Sequence, residues 1–223
     1  MRINITGDTH GISNDKIYKS RNCEYLIILG DFGYYGNTLN KLIKGFDKIK
    51  YSDTNTDCKI LVIDGNHEHF PKLETYPTCQ ILGGEAKQLG PNIYWLRRGE
   101  VYTLNGFKFL VFGGAFSIDR AWRVEGKSWF SEEEYNAQEL KRLQENIVKH
   151  NYQFDYILTH DAPTSIVKRI LYPYTPVDNR TSQLLENIYA TCQFKHWYFG
   201  HHHKEWQYGP FTCLYEAVKS IEL

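Results

Sequence analysis

Five short stretches carry the side chains with chemistry to offer: Asp8-Thr9-His10, Gly30-Asp31, Gly65-Asn66-His67-Glu68, Thr159-His160 and Gly200-His201-His202-His203. Among them are two aspartates, an amide and several imidazoles. Taken singly, each has a dull explanation: Asp8 could cap a helix, a lone histidine could be a satisfied core residue, and three histidines in a row could be a solvated turn. Taken together, they look like a metal site. Carboxylate and imidazole without thiolate suit manganese, iron, zinc or nickel better than calcium or magnesium, which prefer oxygen alone. The set is too large for one ion. Two ions need a shared ligand, and a carboxylate has two oxygens to share. Ions about 3.5 to 4 Å apart would hold a hydroxide and a phosphoryl group between them. Two divalent ions bring four positive charges; Asp8, Asp31 and the hydroxide remove three. A site left positive attracts an anionic substrate, a phosphoester more than a peptide.

These residues need elements that bring them together. Each stretch follows an apolar run. Arg2 to Thr6, Glu24 to Leu29 and Lys59 to Ile63 read as strands, the last apolar enough to be buried on both faces. Strands ending in glycine plus a polar residue gather their sites at the carboxyl edge of an α/β sheet. Asn37 to Ile49 has apolar residues at helical spacing. The middle changes character. Asn92 to Leu96, Glu100 to Leu104 and Phe107 to Phe112 read as short antiparallel strands around Arg98-Gly99 and Asn105-Gly106, the latter a strong hairpin signal. Ser131 to His150 reads as a helix, with Ser131 and Glu134 as a capping box and Leu140, Leu143 and Ile147 as its buried stripe. Phe154 to Thr159 is a further strand, Asp161 to Asn179 a proline-punctuated loop, and Thr181 to Thr191 a helix. His196 to Phe199 precedes the three histidines, and Gly209-Pro210 divides a closing antiparallel pair. The expectation is one domain over 1–223, with one largely parallel sheet, one largely antiparallel sheet and helices outside.

Composition narrows the function. Lys plus Arg equals Asp plus Glu, 26 each, so no chain-wide basic field draws the protein onto nucleic acid or anionic lipid. No signal peptide and no membrane-spanning apolar run is legible. Five scattered cysteines form no CxxC pair, which fits reduced thiols in a cytoplasmic protein with no zinc ribbon.

The ordered series from Asp8 to His203 resembles the calcineurin-like metallophosphoesterase superfamily, whose motifs are DxH, GD, GNHE, H and GHxH. The resemblance implies a four-layer α/β-β/α sandwich of two mixed β-sheets flanked by helices. It also implies two divalent ions, manganese first, with iron, zinc or nickel as alternatives. One ion would be held by Asp8, His10, Asp31 and His203. The other would be held by Asp31, Asn66, His160 and His201, with Asp31 bridging. Asn66 would also touch substrate, and His67 would donate the proton to the leaving group. Two features depart from parts of the family. Gly-Asp-Phe-Gly-Tyr-Tyr-Gly lacks the DRG continuation of the protein Ser/Thr phosphatases, which leaves His67 without an assigned partner. His202 occupies the middle of the last motif, and strand alternation would point it away as a bystander.

Substrate contacts are expected in Gly113 to Trp129, which holds three cations and two tryptophans. Arg120 and Arg123 could clamp phosphate, and a tryptophan could stack on a base; packing of Trp122 and Trp129 into the core is the plainer reading. The leading expectation is a dinuclear phosphomonoesterase or phosphodiesterase acting on a small phosphoester or nucleotide. A nuclease or nucleotide phosphodiesterase is the second. A binding module on the same fold is the third, and the complete ligand set argues against it. Extended nucleic acid is not favoured, and no membrane or obligate protein partner is evident.

Overall fold

The computed structural model describes residues 1–10, 22–33, 57–174 and 178–223. The expected helix over Asn37 to Ile49 lies outside them. Among the described residues, the strands β1 (Arg2–Thr6), β2 (Tyr25–Leu29) and β3 (Lys59–Ile63) run parallel and adjacent, as their apolar runs predict. They sit in a seven-stranded sheet. β6 (Ile93–Leu96) continues it in parallel beside β3, while β5 (Gly84–Gly90) and β4 (Thr78–Ile81) add antiparallel at one edge. β13 (Lys219–Glu222) adds antiparallel to β1 at the other edge.

Among the described residues the second sheet has six strands, in the order β11 (Trp206–Tyr208), β12 (Phe211–Cys213), β10 (His196–Phe199), β9 (Tyr156–Thr159), β8 (Phe107–Phe112) and β7 (Val101–Leu104). Its centre is parallel and both its edges are antiparallel. Both sheets are therefore mixed, and the expectation of one parallel and one antiparallel sheet is corrected. The error lies at Arg98-Gly99, which is no hairpin turn. The chain leaves the first sheet there and enters the second. Asn105-Gly106 does form its hairpin, with positive φ at both residues (48° and 84°), the conformation a tight primed turn requires.

Side-chain alternation sorts the strands into layers. Ile3, Ile5, Ile27, Leu29, Leu61 and Ile63 point inward from the first sheet. They meet Tyr102, Leu104, Phe109, Val111, Leu158 and Tyr198 of the second in one buried cluster. Each such side chain contributes roughly 1.5 to 3 kcal/mol by leaving water. The alternate residues Leu26, Ile28, Ile60 and Val62 pack outward with Phe70, Leu73, Trp95 and Phe130. Phe70 and Leu73 belong to the short helix α1 (Phe70–Leu73). The outer face of the second sheet is covered by α2 (Ala137–Lys149), α3 (Thr164–Leu171) and α4 (Arg180–Thr191).

Two helices differ from expectation. The capping box of α2 is Asn136 with Glu139, not Ser131 with Glu134. Ser131–Glu133 is a single 3₁₀ turn, because Glu133 is drawn into the interior. The proline-rich stretch after Asp161 contains α3, whose Ile166, Val167 and Ile170 are buried. No helix among the described residues is long and apolar enough to cross a membrane.

Candidate metal centre

The parallel strands of both sheets deliver their carboxyl ends to one place, and the backbone there is strained. Asp8, His10, Asp31, His201 and His203 all have positive φ, between 42° and 66°. Non-glycine residues rarely adopt this region, at a cost of order 1–3 kcal/mol each. Hydrogen bonds between the strand exits hold them there. The amide of Asp8 donates to the Gly30 carbonyl (3.2 Å), and that of His10 to the Asp31 carbonyl (2.8 Å). The amide of His201 donates to both carboxylate oxygens of Asp8 (3.1 and 2.9 Å). The glycines of these motifs answer to crowding. A Cβ on Gly65 would lie 2.1 Å from Asp31 Oδ1, and one on Gly200 would lie 2.5 Å from Asp8 Oδ2.

Two groups of ligating atoms result. In the first, one ligand atom each from Asp8, His10, Asp31 and His203 lie within 4.8 Å of one another. His10 Nε2 is 3.1 Å from His203 Nε2, which is 3.5 Å from Asp8 Oδ1. In the second, His160 Nε2 lies 3.2 Å from Asn66 Oδ1 and 3.5 Å from Asp31 Oδ1. His160 Nδ1 donates to the Leu29 carbonyl at 2.7 Å, which leaves Nε2 as the ring's lone-pair nitrogen for an ion. The His201 ring packs 5.0 Å from that of His160, centroid to centroid. Asp31 faces both groups, Oδ1 toward His160 and Oδ2 toward His10. Two carboxylates, an amide oxygen and imidazole nitrogens converging at these distances fit divalent ions of the manganese-to-zinc series.

Electrostatics agree with that fit. Burial disfavours charge on His160, but Asp31 and Asp8 outweigh it and push its pKa up to about 10. The field at this spot favours positive charge. Asp31 is likewise held below the usual carboxylate range despite its burial, by His160, His67 and His10. His201 is lowered to about 4 by burial, with His160 and His202 adding to the fall and Asp161 and Asp31 opposing it.

His67 stands beside both groups. Its amide donates to Asp31 Oδ1 (2.9 Å), and its ring lies against Arg123, with NH1 3.1 Å from Nδ1 and NH2 3.3 Å from Nε2. Burial lowers the ring's pKa, Asp31 raises it and Arg123 lowers it again. Arg123 is itself held by Asp119 at 2.7 Å.

A cavity of about 400 Å³ opens in front of the metal-facing residues. Phe116, Ile118, Val167 and Leu171 form an apolar wall, and Arg123, Asn66 and His67 form a polar one. Arg120 is not part of the lining. Its guanidinium stacks on Phe116 (4.3 Å) and lies 3.7 Å from Glu134 Oε2. Trp122 is 85% exposed, so it neither packs in the core nor lines the cavity. His202 does line it, with Nε2 3.1 Å from Asp161 Oδ1. Strand alternation does not apply to His202, because β10 has ended and both its neighbours are left-handed.

Sequence reasoning gave no role to the residues behind the site. Asp64 and Arg98 form a buried ion pair, and Arg98 also bonds the carbonyls of Glu132 and Glu133. Glu68 accepts the amide of Phe32 at 2.9 Å, fixing the backbone just after Asp31. A signal existed for Asp64 and Glu68, which flank Gly65-Asn66-His67. None existed for Arg98.

The two-sheet α/β sandwich thus carries carboxylates and imidazoles together at its strand exits. The family model of calcineurin-like phosphoesterases matches residues 1–205, and the chain belongs to that family. The chain is 31% identical over 189 residues to the lariat debranching enzyme of Schizosaccharomyces pombe, covering 74% of this chain and 38% of that enzyme. A solved structure from Staphylococcus aureus, described as a 5'-nucleotidase, superposes with a TM-score of 0.51 at 12% identity. It covers 98% of this chain and 50% of that one, and the likeness is one of fold.

Proposed function

We propose that residues 1–223 form one domain that hydrolyses a phosphodiester of nucleotide size, using two divalent ions, manganese first. The observation that carries the reading is the Asp31 carboxylate, one oxygen toward each group of ligating atoms. Asp8, His10, Asp31 and His203 would hold one ion, and Asp31, Asn66, His160 and His201 the other. Bound ions of this kind supply Lewis acidity and an activated water at neutral pH. The chain's own residues do the rest. Asn66 and Arg123 orient the phosphoryl group, and the apolar wall of Phe116, Ile118, Val167 and Leu171 receives the organic part of the ester. His67 donates a proton to the leaving oxygen. Substrate phosphate beside the ring favours the protonated form, opposing the effect of burial and Arg123.

The likeness to a lariat debranching enzyme supports a diester over a monoester. Net charge zero and a single arginine among the described cavity-lining residues favour a nucleotide-sized substrate over extended nucleic acid. Five cysteines, none of them in a disulfide, fit a cytoplasmic enzyme. The test is a panel of aryl monoesters, aryl diesters, cyclic nucleotides and oligonucleotides, assayed with manganese, nickel, zinc and magnesium. Diester hydrolysis that a chelator abolishes and manganese restores is expected. Hydrolysis indifferent to chelation would overturn the reading.

A further inference from the structure

Behind the metal-facing amide runs a buried chain of hydrogen bonds joining three distant stretches of sequence. Asn66 Nδ2 donates to Ser117 Oγ at 2.9 Å. Ser117 Oγ donates in turn to Glu133 Oε2. The other carboxylate oxygen, Oε1, accepts the amide of Phe130 at 3.3 Å and lies 4.0 Å from Arg123 NH1. Ser117 and Glu133 are each 2% exposed. Glu133 is held in place from outside. Its carbonyl accepts the amide of Ala115 (3.1 Å) and faces the buried guanidinium of Arg98.

The direction of this chain matters. A hydroxyl has one proton to give. Ser117 gives it to a carboxylate that cannot donate when ionised, so its remaining capacity is as an acceptor. Only the NH₂ end of the Asn66 amide can use that capacity. The oxygen end is thereby turned to His160 Nε2, 3.2 Å away. Without Ser117 and Glu133, the amide could rotate by half a turn at little cost, presenting hydrogens where a ligand oxygen is needed.

We propose that Ser117 and Glu133 are positioning residues that select the amide orientation in which Asn66 Oδ1 faces the ion-binding group. The inference rests on the reading of Asn66 as a metal ligand. It gives the Gly113 to Trp129 segment a second role, as a support behind the site as well as a wall beside it. Outer partners of this kind typically contribute 10- to 100-fold in metal affinity. In Glu133→Gln one oxygen is replaced by NH₂, so either Ser117 or the Phe130 amide meets a donor instead of an acceptor.

The test is manganese binding to the full chain at pH 8, above the value of about 7 to which burial pushes Glu133. Binding is measured by calorimetry against a competing chelator, with thermal melts to confirm folding. Stoichiometry of the parent is read first, and a parent that takes up one ion overturns the two-ion reading itself. With two ions bound, Ser117→Ala and Glu133→Gln should each weaken one site about 10- to 100-fold and leave the other within about twofold. The double variant should lose little more than either single one, because both changes break one chain. Excess manganese should restore turnover in Ser117→Ala, which a packing defect would not allow. Two sites of parental affinity in Ser117→Ala, or in Glu133→Gln should the first variant not fold, would overturn the positioning role while leaving the site reading intact.

Discussion

Arg123 lies along the edge of the His67 ring, its NH1 3.1 Å from Nδ1 and its NH2 3.3 Å from Nε2. A guanidinium has only donors, and a neutral imidazole has one lone pair to offer. A protonated ring has none. The observed contact therefore belongs to the neutral ring, and a His67 that carried a proton for the leaving group would have to give Arg123 up to the substrate phosphate.

Arg123→Ala should lower kcat/KM on the best diester by roughly 1.5 to 3 kcal/mol, the range for a charge-assisted hydrogen bond. Metal content should stay as in the parent. Arg120→Ala should change kcat/KM far less, because Arg120 is spent on Glu134 and Phe116. Steady-state kinetics on the two variants checks both; equal losses would place Arg120 at the substrate after all.

His67→Asn should keep its ions and lose about 10²- to 10⁴-fold in rate on esters with alkyl leaving groups. Nitrophenyl esters, whose leaving group departs without a proton, should lose less. Elemental analysis beside the rates separates the cases. Loss of an ion would make His67 a ligand, and equal loss on both esters would make it a phosphate-positioning group.

Asp31→Asn should cost more bound metal than His10→Ala or His201→Ala, since among the described residues Asp31 alone faces both groups of ligating atoms. Chelation, reloading with manganese and elemental analysis should give about two ions for the parent on the two-ion reading. Retention of both ions by Asp31→Asn would remove the bridging role.

Glu133 should leave a signature in the pH dependence of stability. Burial raises its pKa from 4.5 to about 7, with Asp31 adding to the rise and Ser117, Phe130 and Arg123 opposing it. The folded state therefore holds this proton more tightly than the unfolded chain. That contribution is fully present below about 4.5 and is lost as pH rises toward 7. Glu133→Gln cannot ionise. In chelated protein, the stability of the parent relative to Glu133→Gln should fall between pH 4.5 and 7 and then level off, as urea midpoints at several pH values would reveal. A difference flat across that window would show that Glu133 titrates normally.

The sequence by itself determined where the strands end and what stands at their ends. Short β-branched apolar runs such as Ile60 to Ile63 read as buried strands, and glycine followed by Asp, Asn or His marks an exit where side chains crowd. The residues that the structure gathers at the centre, from Asp8 to His203, were all legible in this way. The tertiary structure decided how the sheets are partitioned, because a break such as Arg98-Gly99 looks the same whether a chain turns back or crosses to another sheet. It decided that Arg123 and not Arg120 meets the cavity, since four residues of irregular backbone carry no periodicity from which to read direction. It decided the orientation of His202, where left-handed neighbours replace strand geometry. It also decided the support behind Asn66. Ser117 and Glu133 lie 51 and 67 residues further along the chain, and a hydrogen bond between positions so far apart leaves no mark on the spacing of either.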